Sequence, residues 1–241
     1  MSGHSKWATI KRKKAVLDSK RGKIFTKLIK EITIAAREGG GDVNGNPRLR
    51  LAVDNAKSQN IPQDNIERAI KKATGELEGV TFHELTYEGY GPVGVAVLVE
   101  VATDNKNRTV AEVRHLFSKN GGSMGENGSV AWMFDRKGII SLPANGKNED
   151  DVMEIVLEAG ADDLTTEEDY FEVQTTVESF ETVRRALVDK DYSIENASLQ
   201  WIAKNLIEVK GEDAEKVMKM IEGLEDLDDV QNVYSNADII E

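Results

Sequence analysis

Apolar residues in the first third of the chain recur at helical spacing. Ile24, Phe25, Leu28, Ile29 and Ile32 form one stripe at the 3.6-residue period, which predicts a helix over 22–38. Lys23, Lys27 and Lys30 fall on its wet side. Gly39-Gly40-Gly41 ends it, because glycine reaches the positive-φ conformations that close a helix. Asn46 caps a second helix that Pro47 opens and that runs to about Ser58. A third begins at Pro62, sets Ile66, Ala69, Ile70 and Ala73 on one face, and stops at Gly75. Helices this short are marginal alone and must pack on one another. Residues 1–78 therefore read as a helical domain.

From Val80 the period shortens. Residues 82–88 and 93–103 are strand-like, the second a run of Val, Ala and Leu. Thr109 and Glu112 have the spacing of a capping box, which opens a helix carrying Val113, Leu116 and Phe117. Asn127-Gly128 marks a turn before a strand over 129–134. Strand, helix, strand, helix, strand then follow over 138–142, 149–158, 170–176, 180–188 and 193–202. The chain closes with strand, helix and strand over 206–209, 212–224 and 230–235. Serial strand–helix–strand units favour antiparallel sheets with helices on one face, an α+β class. The units at 93–134 and 206–235 are each half of a ferredoxin-like fold. One solution returns the last unit to the sheet begun at Val80, with 138–203 inserted; a tandem of three lobes fits the pattern too.

Charge divides the chain where the period changes. Residues 1–78 hold seventeen basic and nine acidic side chains, whereas 79–241 hold fourteen and thirty-four, in a protein of net charge −12. The first thirty residues carry ten Lys or Arg and the single carboxylate of Asp18. A basic head on an acidic body points to a polyanion, nucleic acid above all; the plainer alternative is a solvated charge run. No apolar stretch is long enough to span a bilayer, and no signal-peptide core or import presequence opens the chain, so it reads as cytoplasmic. Cys is absent, which excludes a disulfide scaffold and a thiolate metal site. His4, His83 and His115 lack metal-ligand spacing, and no nucleophile–base pair stands out. We expect no metal, no cofactor and no catalysis.

Several constellations look chemical without being so. Gly89–Gly94 fits G-x-G-x-x-G literally but precedes a strand rather than a helix, so it reads as a turn. The acidic run 162–169 lacks EF-hand spacing and reads as a solvated face. Arg108 and Arg114 are candidates to meet a phosphate or another domain.

Ordered blocks then carry a family resemblance. They are Gly3-His4-Ser5-Lys6-Trp7, Arg21-Gly22-Lys23-Ile24-Phe25, Asn46-Pro47-Arg48-Leu49-Arg50, Tyr87-Glu88-Gly89-Tyr90-Gly91-Pro92, Thr103-Asp104-Asn105 with Asn107-Arg108-Thr109, and Gly128-Ser129-Val130. With them the chain resembles the YebC/PmpR family over nearly its whole length. The resemblance implies an N-terminal helical domain plus two ferredoxin-like α/β sandwich domains, one inserted in the other. The expected boundaries are 1–78, then 79–136 with 204–241, and 137–203 as the acidic insertion. Bacterial members are described as DNA-binding transcriptional regulators. The mitochondrial relative is a translational activator, and a ribosome-associated role contacting ribosomal RNA has been proposed for bacterial members.

The expected contact residues are the long cationic side chains of the head, which suit phosphate. They are Lys6, Lys11, Arg12, Lys13, Lys14, Lys20, Arg21, Lys23, Lys27 and Lys30, extended by Arg48 and Arg50. Trp7 joins them as a base-stacking residue, or else packs against the helix that follows. The expected partners are DNA or ribosomal RNA, with the ribosome behind the latter and no membrane. No heptad pattern demands a dimer, so monomer is the default.

Overall fold

The computed structural model describes residues 18–167 and 169–240, with side chains from Gly22 onward. Three helices open it: α1 (Asp18–Gly39), α2 (Pro47–Ser58) and α3 (Gln63–Ala73). Ile32, Ala35, Leu49, Ala52, Ala56, Ile66 and Ala69 bury together between them. Asn46 holds this corner. Its side chain accepts from the Leu49 amide at 3.1 Å and donates to the carbonyls of Ala35 and Gly40 at 2.8 and 2.9 Å. A Cβ on Gly39 would lie 2.5 Å from that amide group, so the glycine is a matter of space as well as termination.

The second unit is built on β1 (His83–Tyr90), β2 (Ala96–Thr103), α4 (Lys106–Lys119) and β3 (Ser123–Met124). The third holds β4 (Phe134–Pro143), α5 (Glu149–Glu158), β5 (Ala161–Thr166), β6 (Tyr170–Thr175), α6 (Phe180–Asp189) and β7 (Asn196–Ala203). The chain then runs through β8 (Ile207–Lys210), α7 (Gly211–Glu225), β9 (Val230–Ser235) and β10 (Ala237–Ile240). One antiparallel sheet has the order β3-β1-β2-β9 and another β5-β6-β4-β7. The second follows the ferredoxin-like β-α-β-β-α-β path, with α5 and α6 packed on one face around Ile140, Val173 and Phe180. In the first, β9 comes from the far end of the chain to pair with β2. The fold is α+β, with a helical N-terminal domain and two α/β sandwiches, one inserted in the other.

β2 is apolar throughout because both its faces are covered. Val97, Val99 and Val101 face α4 and α7, while Ala96 and Leu98 meet Val130, Phe134 and Tyr234.

Four local expectations need correction. Residues 129–134 do not form the partner strand of the first sheet; the two-residue β3 does, and 131–133 make a 3-10 turn into β4. β8 pairs with β10 in a separate parallel ribbon rather than entering the main sheet. An edge strand not among those expected, β5, has one buried apolar anchor, Leu164, and overlaps the acidic run 162–169, whose Asp162 and Asp163 are exposed as a solvated face. Finally, α4 starts at Asn105, whose side chain accepts from the Arg108 amide, so Thr109 is not its cap.

Candidate nucleic-acid interface

The lysine face of α1 meets the acidic body instead of solvent. Lys23 Nζ lies 2.8 Å from Asp226 Oδ1, and Lys27 Nζ donates to the Glu225 and Gln231 carbonyls at 3.2 and 3.5 Å. Lys30 is buried. Its ammonium donates to the carbonyls of Asp228 and Ala102 at 2.7 and 3.3 Å, pairs with Asp229 Oδ1 at 3.0 Å, and sits 5.3 Å from the centre of the Phe82 ring. Lys30 therefore leaves the set of residues able to reach a phosphate. The helical period assigned it correctly to the face opposite the core, but that face abuts a second domain.

Asp229 is the hub of the contact. Its carboxylate takes Lys30 on one oxygen and Arg108, Thr103 and Thr109 on the other. Burial alone would raise its pKa, but Arg108, Lys30 and Thr109 outweigh that and bring it down to about 2. Arg108, one of the two arginines left open between phosphate and protein, thus binds within the protein. Arg114 has no carboxylate partner among the described residues.

Arg48 is enclosed by three carboxylates, Glu31 at 2.8 Å, Glu38 at 2.6 Å and Glu84 at 2.6 Å. Burial opposes its charge, yet Glu84 and Glu31 raise its pKa above the ordinary guanidinium value. Arg50 donates to the carbonyls of Val43 and Asn44. Both arginines hold the helical domain together, Arg48 also tying it to β1 through Glu84 and Arg50 to α6 through Glu181 at 3.8 Å. Beside them a cleft of about 280 Å³ opens between α1 and β1, lined by Arg37, His83 and Lys106 among others. Lys57, Arg68, Lys71 and Lys72 are exposed on α2 and α3 without a carboxylate partner among the described residues.

The remaining expected contacts, Lys6, Trp7, Lys11, Arg12, Lys13 and Lys14, lie outside the described residues, and Lys20 and Arg21 are described only in backbone, within α1. Among the described residues no group of three or more His, Asp or Glu could hold a metal ion. No described helix is long and apolar enough to cross a membrane.

Two family models cover most of the chain: the TACO1/YebC protein N-terminal domain over residues 5–76, and the TACO1/YebC second and third domain over 82–237. A protein of Pelodictyon phaeoclathratiforme called "Probable transcriptional regulatory protein" is 60% identical over 242 residues, covering 100% of this chain and 97% of that one. A protein of the same name from Chlorobaculum parvum is 59% identical over 100% of this chain and 96% of its own. The crystal structure of a conserved hypothetical protein, Aq1575 of Aquifex aeolicus, matches with a TM-score of 0.87 at 46% identity, over 94% of each chain.

Proposed function

The chain belongs to the TACO1/YebC family, and from that premise we propose that it is a nucleic-acid-binding regulator of gene expression. By the name its relatives carry, the first form of this reading is a DNA-binding transcriptional regulator. The observation that carries it is the charge division, seventeen basic against nine acidic side chains in 1–78 and the reverse beyond. Lys23, Lys27 and Lys30 of α1 are engaged by the acidic loop of the body, so the polyanion footprint falls on Lys6, Lys11, Arg12, Lys13, Lys14, Lys20 and Arg21. Three domains divide the work: 1–78 binds the polyanion, while 79–136 with 204–241 and the insertion 137–203 form the acidic body. The chain acts as a cytoplasmic monomer without catalysis.

A second reading, a ribosome-associated translation factor, is favoured by one feature. Lys-rich contact serves backbone rather than base readout, so the basic head carries little means of reading a sequence. One experiment separates the two. A salt titration on duplex DNA runs beside co-sedimentation with ribosomes after DNase treatment. About six phosphate contacts would set a log–log salt slope near −5. One DNA sequence bound about 1,000-fold above the rest supports transcription. Sequence-blind DNA binding with ribosome retention supports translation. Absence of both refutes the nucleic-acid reading.

A further inference from the structure

Trp132 is 64% exposed, more than any other large apolar side chain among the described residues. It is nonetheless held in place. Its Nε1 donates to the Ser129 carbonyl at 3.1 Å, and its own carbonyl accepts from Lys204 Nζ at 3.0 Å. The same Ser129 carbonyl takes the Tyr90 hydroxyl at 2.9 Å, tying the turn to the end of β1. Beneath it, the buried Glu88 carboxylate accepts from the amides of Gly128, Val130 and Ala131 at 2.6, 2.7 and 2.8 Å. Burial would raise the Glu88 pKa, but these three amides bring it below the usual carboxylate value. Beyond Tyr90, at the tip of the β1–β2 hairpin, Val93 is 55% exposed at φ 52°, a conformation costly for a β-branched residue.

The indole N–H is already bonded within the protein, so a ligand meets the π face. Local charge decides which ligand. Lys204 pairs with Asp135 at 3.3 Å, Arg136 with Glu100 at 2.6 Å and Lys137 with Asp162 at 2.7 Å. Glu126 is exposed in the same turn; its carbonyl accepts from the Ser129 amide, and its carboxylate has no ion-pair partner among the described residues. A nucleobase stacked here would bring a phosphate to a place where, among the described residues, the nearby cations Lys204, Arg136 and Lys137 are already paired and the Glu126 carboxylate is exposed. A guanidinium or ammonium would instead meet the negative face of the indole, in the segment that also exposes Glu126. We propose that Trp132 and Glu126 form a docking point for an Arg or Lys side chain of a basic polypeptide partner, separate from the polyanion-binding head. The surplus of acidic over basic side chains in 79–241, thirty-four against fourteen, favours the same partner at long range.

The test uses the full chain and two probes, hexa-arginine amide and hexauridylate. The Trp132 indole signal in an ¹H–¹⁵N spectrum is assigned by its loss in Trp132→Phe. We expect hexa-arginine amide to move that signal and hexauridylate to leave it in place. By calorimetry, Trp132→Leu and Glu126→Gln should each weaken the peptide about 3-fold, and Trp132→Phe should retain most of the affinity. An indole signal that the peptide does not move, or wild-type affinity in both Glu126→Gln and Trp132→Leu, overturns the proposal. Movement by hexauridylate alone would make the ledge a base-stacking surface instead. Because the signal and the Glu126 variant are read independently, loss of folding in Trp132→Leu would not rescue the idea.

Discussion

Asp229 and Lys30 illustrate how a single side chain can hold two domains in register. Lys30 is 9% exposed and Asp229 5%, so each lies where an unpaired charge is costly. Truncating the acid in Asp229→Ala strands a buried ammonium, and we expect a loss of about 3–5 kcal/mol in urea denaturation. Lys30→Met is gentler, about 1 kcal/mol, because Arg108 still satisfies Asp229 and the methionine fills a similar volume. The carboxylate also sets a pH response. Its folded pKa is about 2 against an ordinary value of 3.8. That stabilisation is complete above about pH 4 and is lost as pH falls through 2. Arg108 is nearly half exposed, so solvent screens part of the effect and about 1–2 kcal/mol is at stake. A stability profile between pH 5 and 2 that is equally steep in wild type and Asp229→Asn would exclude this assignment. Thr109 belongs to the same hub: its hydroxyl bonds Thr103 and Asp229. Its spacing to Glu112 resembles a capping box only because a one-dimensional pattern does not reveal a partner 120 positions away.

Among the elements, β4 carries the clearest constraint. A Cβ on Gly138 would lie 2.3 Å from both the Phe180 ring and the Thr175 hydroxyl, so the N-terminus of α6 sits directly on the strand. Gly138→Ala must push Phe180 off that seat, and we expect about 1–3 kcal/mol of destabilisation, read as a lower thermal midpoint without change in the helical far-UV signal. Nothing local to Gly138 announces this, since Phe180 arrives from forty-two residues away. What the sequence does reveal follows the same division. α2 and α3 are legible because period, cap and terminator agree within a dozen residues, and Asn46, Pro47 and Gly75 occupy the places assigned to them. β2 is legible from its unbroken apolar run. β5 is not, since an edge strand needs only Leu164 inside and can carry Asp162 and Asp163 at its border. β3 is too short to have a period, and β8 leaves the main sheet for β10 through pairing that only the assembled chain defines. The candidate site behaves likewise. The charge division is visible in composition, while the engagement of Lys30 and Arg108 by Asp229 and of Arg48 by Glu84 depends on carboxylates that only the assembled chain brings near.

At the scale of the whole molecule the helical domain works as a clamp on both halves of the acidic body. α1 lies on the loop around Asp226–Gln231, while Asn55 of α2 bonds both backbone groups of Ala197 on the β7 edge, and Asp54 pairs with Arg184 of α6. Glu100 joins the two sheets from within, accepting from Arg136, Trp201, Asn232 and Tyr234. The basic charge of the head is thus divided by role under the proposed function: α1 from Lys23 onward neutralises the body, and the proposal assigns the positions before it to a polyanion. This division gives the proposed function a discriminating test by counterion release. Lys11, Lys13 and Lys14 changed together to Ala should flatten the log–log salt slope of nucleic-acid binding by about 3, and weaken all sequences alike. Lys23 and Lys27 changed to Ala should leave the slope within about 0.5 of wild type, because phosphates do not displace counterions from lysines already paired with protein. Their loss should instead increase amide exchange along α1 and the loop before β9. If the second pair flattened the slope as much as the first set, bound polyanion would have to pull α1 off the body, and the clamp would be a feature of the free protein alone.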